Sequence, residues 1–106
     1  MPKLIRDGYI NTIPAERLDI KNKSNEEKLE LILDKFKEEA MEFIASNQRD
    51  PYELADLMQV VIDWGVMNGL SEETLQHVRK KKELTHGGFK KFIVLLDEEE
   101  AIEKEL

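Results

Sequence analysis

An all-α fold, built as an antiparallel helical bundle, is what the sequence predicts, on three observations. Ser24, Asp50 and Ser71 each stand where a helix N-cap belongs, immediately ahead of a helix-forming run. Behind the first two caps, apolar residues recur at three- and four-residue spacing. The connections between these runs are short, as in hairpins of antiparallel helices. The 106 residues suffice for one modest core, so residues 1–106 are read as a single helical domain.

Taken in order, residues 1–23 read as irregular. Gly8, Asn11 and Pro14 break any period, and Lys21-Asn22-Lys23 is a polar loop. Ser24 followed by Glu27 is a capping box. The first helix then runs to about Ala45, with Leu29, Ile32, Leu33, Phe36, Ala40, Phe43 and Ile44 as its apolar stripe, and Ser46-Asn47-Gln48 closes it. A second helix begins with Asp50 as cap, Pro51 at the first helical position and Glu53 at the third. It ends near Asn68, and Gly69 is its stop. Ser71 caps a third helix, with Glu72 and Glu73 where the helix dipole favours anions and Arg79 to Lys82 toward its other end. Leu75 and Val78 are expected to point inward. Gly87-Gly88 ends this helix, and the β-prone run Phe92 to Leu96 is read as a short extended packing segment. The acidic tail from Asp97 is read as a short helix or a frayed end.

Composition excludes several classes. The net charge of −7 repels nucleic-acid backbones, so no polymeric nucleic acid is expected as a partner. No apolar run is long enough for a membrane span, and no long apolar stretch follows the N-terminal charges as in a signal peptide. Cysteine is absent, which removes disulfides and thiolate metal sites. A cytoplasmic location is expected.

The informative residues are acids on the first two helices. At about 100° per residue, Glu39 flanks the apolar stripe of the first helix and Glu42 follows on the same flank, an i, i+3 pair. Glu38 falls near the opposite face. On the second helix Leu54, Ala55, Leu57, Met58, Val61, Ile62, Gly65 and Val66 spread over more than half the circumference, as in a helix buried on most sides. Yet Glu53, Asp56 and Asp63 share an arc of roughly 80° beside Val60 and Met67. Like charges beside apolar neighbours resist desolvation. They must be exposed, protonated, paired with Lys or Arg, or neutralised by a cation. Mg²⁺ suits such a set, because it takes carboxylate oxygens and bridges phosphates. His77 and His86 lie outside the cluster, which argues against zinc. The competing reading is a solvated acidic face, with Glu53 serving the helix N-terminus.

The string Glu38-Glu39-Ala40-Met41-Glu42, followed by Glu53-Leu54-Ala55-Asp56, resembles the EExxE…ExxD signature of the all-α, MazG-like nucleotide pyrophosphohydrolases. Lys3-Leu4-Ile5-Arg6-Asp7 is similar to the KLVRD opening of a small, phosphoribosyl-ATP pyrophosphohydrolase-like subfamily, and Gly87-Gly88-Phe89 to its closing GGF segment. Gly8 to Thr12 interrupts the run to Ile13-Pro14 that usually follows the opening, and His86 stands where that subfamily has Arg. The resemblance implies a MazG-like bundle completed by oligomerisation as a homodimer or homotetramer. It implies an Mg²⁺-dependent enzyme (Mn²⁺ as substitute) that cleaves a nucleoside triphosphate between its α and β phosphates, releasing a nucleoside monophosphate and pyrophosphate. Glu39, Glu42, Glu53 and Asp56 would be metal ligands, with Glu39 also catalytic. Glu38 would orient or deprotonate the water, and Asp63 would be a further ligand or support one. Phosphate-binding candidates are Lys3, Arg6, Arg49, Arg79 and Lys82, with Lys90 and Lys91 behind them. Arg6-Asp7 is alternatively an ion pair that pins the N-terminus. Trp64 is read as core or interface filler. The alternatives are a phosphoribosyl-ATP pyrophosphohydrolase, a family member that binds nucleotide without turnover, and a non-catalytic acidic helical oligomerisation or interaction module.

Overall fold

A computed structural model of the chain describes residues 2–105. Among these it contains four α-helices: α1 (Asn25–Ala45), α2 (Pro51–Met67), α3 (Glu72–His86) and α4 (Glu98–Glu105). Short 3-10 turns at Asp7–Asn11 and Ala15–Arg17 precede them, and the described residues contain no strand. No described helix is long and apolar enough to cross a membrane.

The caps act as their residue types require. The Ser24 side chain accepts from the Glu27 backbone N–H while Glu27 reaches back to the Ser24 backbone, completing the capping box of α1. Asp50 Oδ1 accepts from Tyr52 N–H at 2.9 Å, and Pro51 opens α2 without sacrificing a donor. Ser71 Oγ accepts from Thr74 N–H at 3.1 Å ahead of α3, and Asp97 Oδ1 accepts from Glu100 N–H at 2.8 Å ahead of α4. The α1–α2 connection turns through Asn47 and Gln48, both left-handed at φ 61° and 60°. Gly69 follows α2 at φ 78°, a conformation that a Cβ would strain.

The chain forms two compact units, Met1–Leu75 and Gln76–Leu106. In the first, α1 and α2 pack as a hairpin whose seam buries Ile32 and Val60. Phe36 and Trp64, both half-buried, meet edge to face across it at 5.9 Å between ring centroids, so Trp64 is packing material here. Leu75 approaches α2 at Gly65, where an added Cβ would lie 3.4 Å from its methyl.

Three expectations are corrected. The second helix is not enclosed: Leu54, Met58, Val61 and Val66 are 41–57% exposed, because α1 covers only one of its sides. Val78 does not point inward; it is 52% exposed, and only Leu75, in the first turn, reaches packing. The C-terminal apolar run is mostly open as well, although Leu96 is half-buried. Phe92, Ile93, Val94 and Leu95 are 73–97% exposed, and residues 92–97 form no strand.

Candidate metal centre

The N-capped start of α2 sets the register of the site. With Pro51 at the first position, Glu53 and Asp56 lie one turn apart and face α1 near Glu39. Carboxylate oxygens of Glu39, Glu53 and Asp56 lie within 4.8 Å of one another, as do those of Glu38, Glu39 and Glu42. Glu39 belongs to both trios. Glu39 is the one buried charged residue of the hairpin, only 6% exposed.

The second trio revises the placement of Glu38. Position 38 does lie away from the apolar stripe, but it stands i, i+4 from Glu42, and that spacing stacks the two side chains on one face. Glu39 thus links Glu38 and Glu42 on its own helix to Glu53 and Asp56 on α2. Asp63 lines the same cleft but belongs to neither trio; Oδ1 accepts from Gln59 Nε2 at 3.2 Å.

Three cations reach these acids. Lys35 Nζ lies 3.1 Å from Glu39 Oε1 and 3.4 Å from Glu38 Oε2. Lys3 Nζ donates to Glu38 Oε1 at 3.2 Å. Arg6 donates to Asp56 Oδ1 through a guanidinium nitrogen, so it pairs across the fold and not with its neighbour Asp7. Lys35 is the site residue that sequence reasoning missed. Its i, i+3 and i, i+4 spacing to Glu38 and Glu39 was the available signal.

The charges perturb one another in a readable way. At Glu38, burial works to raise the carboxyl's pKa, but the Lys3 hydrogen bond and the Lys35 charge outweigh it and hold the group below its ordinary value. At Lys35, burial opposes the charge, yet Glu39 and Glu38 hold the ammonium above its ordinary value. Arg6 is raised, chiefly by its hydrogen bond to Asp56. Glu42 goes the other way: desolvation, then the charge of Glu39, push its carboxyl up. Even with three cations present, Glu39 Oε2 and Glu53 Oε2 are buried without a hydrogen-bond partner. Buried carboxylate oxygens without a partner are costly.

The cleft over these acids has a volume of about 870 Å³. Residues 3–9 form one wall, and Asp56, Gln59, Val60 and Asp63 contribute from α2. Of the other phosphate candidates, Arg49 is exposed in the α1–α2 connection. Arg79 and Lys82 belong to the second unit, where with Lys90 and Lys91 they line a separate hollow.

Compared with known proteins, the chain matches no family model, no curated protein and no solved structure.

Proposed function

We propose that this protein is an Mg²⁺-dependent nucleoside triphosphate pyrophosphohydrolase of the MazG-like kind. In this reading it adds water across the α–β anhydride and releases a nucleoside monophosphate and pyrophosphate. The observation that carries the proposal is the pair of unpartnered buried oxygens, Glu39 Oε2 and Glu53 Oε2, within a trio of converging carboxylates. A solvated acidic face would leave those oxygens in water. A hard divalent cation is the partner that such a donor set takes.

Glu39, Glu53 and Asp56 would hold the ion, and Glu42 would complete the set from α1. Bound there, Mg²⁺ supplies a local positive charge that neutralises a polyphosphate and polarises its phosphoryl oxygens. Glu38 is kept ionised by Lys3 and Lys35, so it accepts a hydrogen bond from water and aims it. The same depressed pKa makes it a weak base, so orientation is its main contribution. Asp63 stands at the cleft wall, ready to fix a neighbouring group through Gln59.

The uncovered apolar side of the hairpin supports a homodimer or homotetramer. Leu29, Leu33, Leu54, Met58 and Val61 are 37–52% exposed, and apolar surface of this kind is usually covered by a partner. The same exposure favours the second reading, a non-catalytic helical interaction module. Two measurements separate them. Pyrophosphate release is assayed over a panel of nucleoside triphosphates with phosphoribosyl-ATP included, and thermal melting is followed while Mg²⁺ is titrated. The enzyme reading expects turnover of at least one substrate. It also expects a melting temperature that rises with Mg²⁺ in the wild type but not in Glu39→Ala or Asp56→Ala. A wild type that neither turns over nor responds to Mg²⁺ is the interaction module.

A further inference from the structure

The acids are already engaged by cations of the chain itself, and those cations differ in kind. Lys35 is fixed on α1, half-buried, one turn before Glu39. Lys3 and Arg6 arrive on an irregular segment and are far more open, with side chains 61% and 53% exposed. That segment does not depend on them for its attachment, because Leu4 and Ile5 between them are half-buried in the cleft wall. The two side chains can therefore leave their carboxylates while the backbone stays docked.

Arg6 sits on Asp56, which the site reading above makes a metal ligand. We propose that Arg6, seconded by Lys3, is an exchangeable counter-ion that couples metal binding to anion binding. In the metal-free protein it occupies Asp56. A divalent ion takes Asp56, and the released guanidinium becomes a ligand for the phosphates of the arriving polyphosphate. This inference rests on the site reading and adds to it a competition in one step and a contact in the next.

The physical grounds are unequal strengths. A half-exposed ion pair is weak, because solvent screens it and two side chains must be held in one geometry. A divalent ion carries twice the charge and approaches carboxylate oxygens to about 2.0–2.1 Å, so it prevails at Asp56. The displaced guanidinium then has no acid opposite it and stands beside a cleft that would hold phosphate. Its planar fork suits phosphate oxygens. By linkage, metal and anion each strengthen the binding of the other, and part of that coupling passes through Arg6.

The consequence is a pair of effects with opposite sign. Mg²⁺ affinity is measured by titration calorimetry in the absence of phosphate. Binding of inorganic pyrophosphate is then measured at saturating Mg²⁺. Arg6→Gln is expected to bind Mg²⁺ about threefold more tightly, since the competitor is gone. It is expected to bind pyrophosphate about tenfold more weakly, since the fork is gone. Arg17→Gln, which removes an exposed charge on the 3-10 turn Ala15–Arg17, should change neither. Tighter Mg²⁺ with weaker pyrophosphate, unmatched by Arg17→Gln, supports the exchange. If Arg6→Gln weakens both, or changes neither, or if Arg17→Gln reproduces its effects, the exchange is overturned and the metal site stands. A wild type that binds no Mg²⁺ overturns the site itself, and the exchange with it.

Discussion

The hairpin of α1 and α2 has two sides, and they solve the problem of exposure differently. On one, Glu38, Glu39, Glu42, Glu53 and Asp56 converge, and the chain brings Lys3, Arg6 and Lys35 to meet them. On the other, Leu29, Leu33, Leu54, Met58 and Val61 remain open. Charge can be met locally, because one lysine or arginine at hydrogen-bond distance satisfies a carboxylate. Apolar area can only be covered by other apolar area. On the carboxylate side Glu38, Glu39 and Asp56 meet cations of the same chain, while two buried oxygens, Glu39 Oε2 and Glu53 Oε2, have no partner. Apolar surface of this kind is usually covered by a partner.

Three experiments break or sharpen this contrast. The largest effect is expected at the seam that both sides share. Ile32→Ala truncates one of the two apolar residues that are buried among the described residues and should destabilise the protein by about 2–5 kcal/mol, a large part of the stability of a small domain. Chemical denaturation reads it, and the Mg²⁺ response should be lost along with the fold. A loss below about 1 kcal/mol would mean that the seam is not what holds the two helices.

Next comes the apolar side alone. Met58→Glu combined with Val61→Glu puts two charges where a second copy would lie, and should weaken self-association at least about 100-fold, as for central interface positions. Sedimentation equilibrium measures this, while the Mg²⁺-dependent rise in melting temperature should persist. A wild type that is monomeric at micromolar concentration removes the case for a second copy. Loss of the Mg²⁺ response in the variant would show that the two sides are coupled.

The smallest effect belongs to the carboxylate side and depends on pH. The Glu42 carboxyl is held above its ordinary 4.5 by desolvation and by Glu39, so the folded state binds its proton more tightly than the unfolded state does. In metal-free protein its contribution to stability is most favourable below about pH 4.5 and is lost as pH rises through the raised value. Glu42→Gln removes that slope. Glu38, whose pKa is lowered, contributes with the opposite sign, present above 4.5 and lost as pH falls. It is present in both proteins, so the difference in urea midpoint across pH 4 to 7 reads Glu42 together with its interaction with Glu39. Identical pH profiles for the two proteins would refute the shift.

Much of the local structure was legible from the sequence because it is decided within a few residues. Ser24 with Glu27, Asp50 with Pro51, and Gly69 each act on their own turn of backbone, so the helix ends could be read directly. The approach of Glu39 to Glu53 and Asp56 follows from helical spacing and one short connection, which bring the two helices face to face. Glu38 lies away from the apolar stripe, but its i, i+4 spacing to Glu42, and not its angle to the stripe, decides where its carboxylate falls. Lys3 and Arg6 lie 35 and 50 positions from their partners. Nothing in local spacing predicts which acid such a residue meets.

By itself, then, the sequence determined where the helices begin and end and which acids share a face, because caps, left-handed glycine and the 3.6-residue period are short-range physics. Tertiary structure alone decided which cation sits on which acid, which two oxygens are left without a partner, and which apolar residues stay uncovered. Those outcomes depend on where segments distant in sequence come to rest, and burial and ion pairing are properties of that arrangement and not of any one segment.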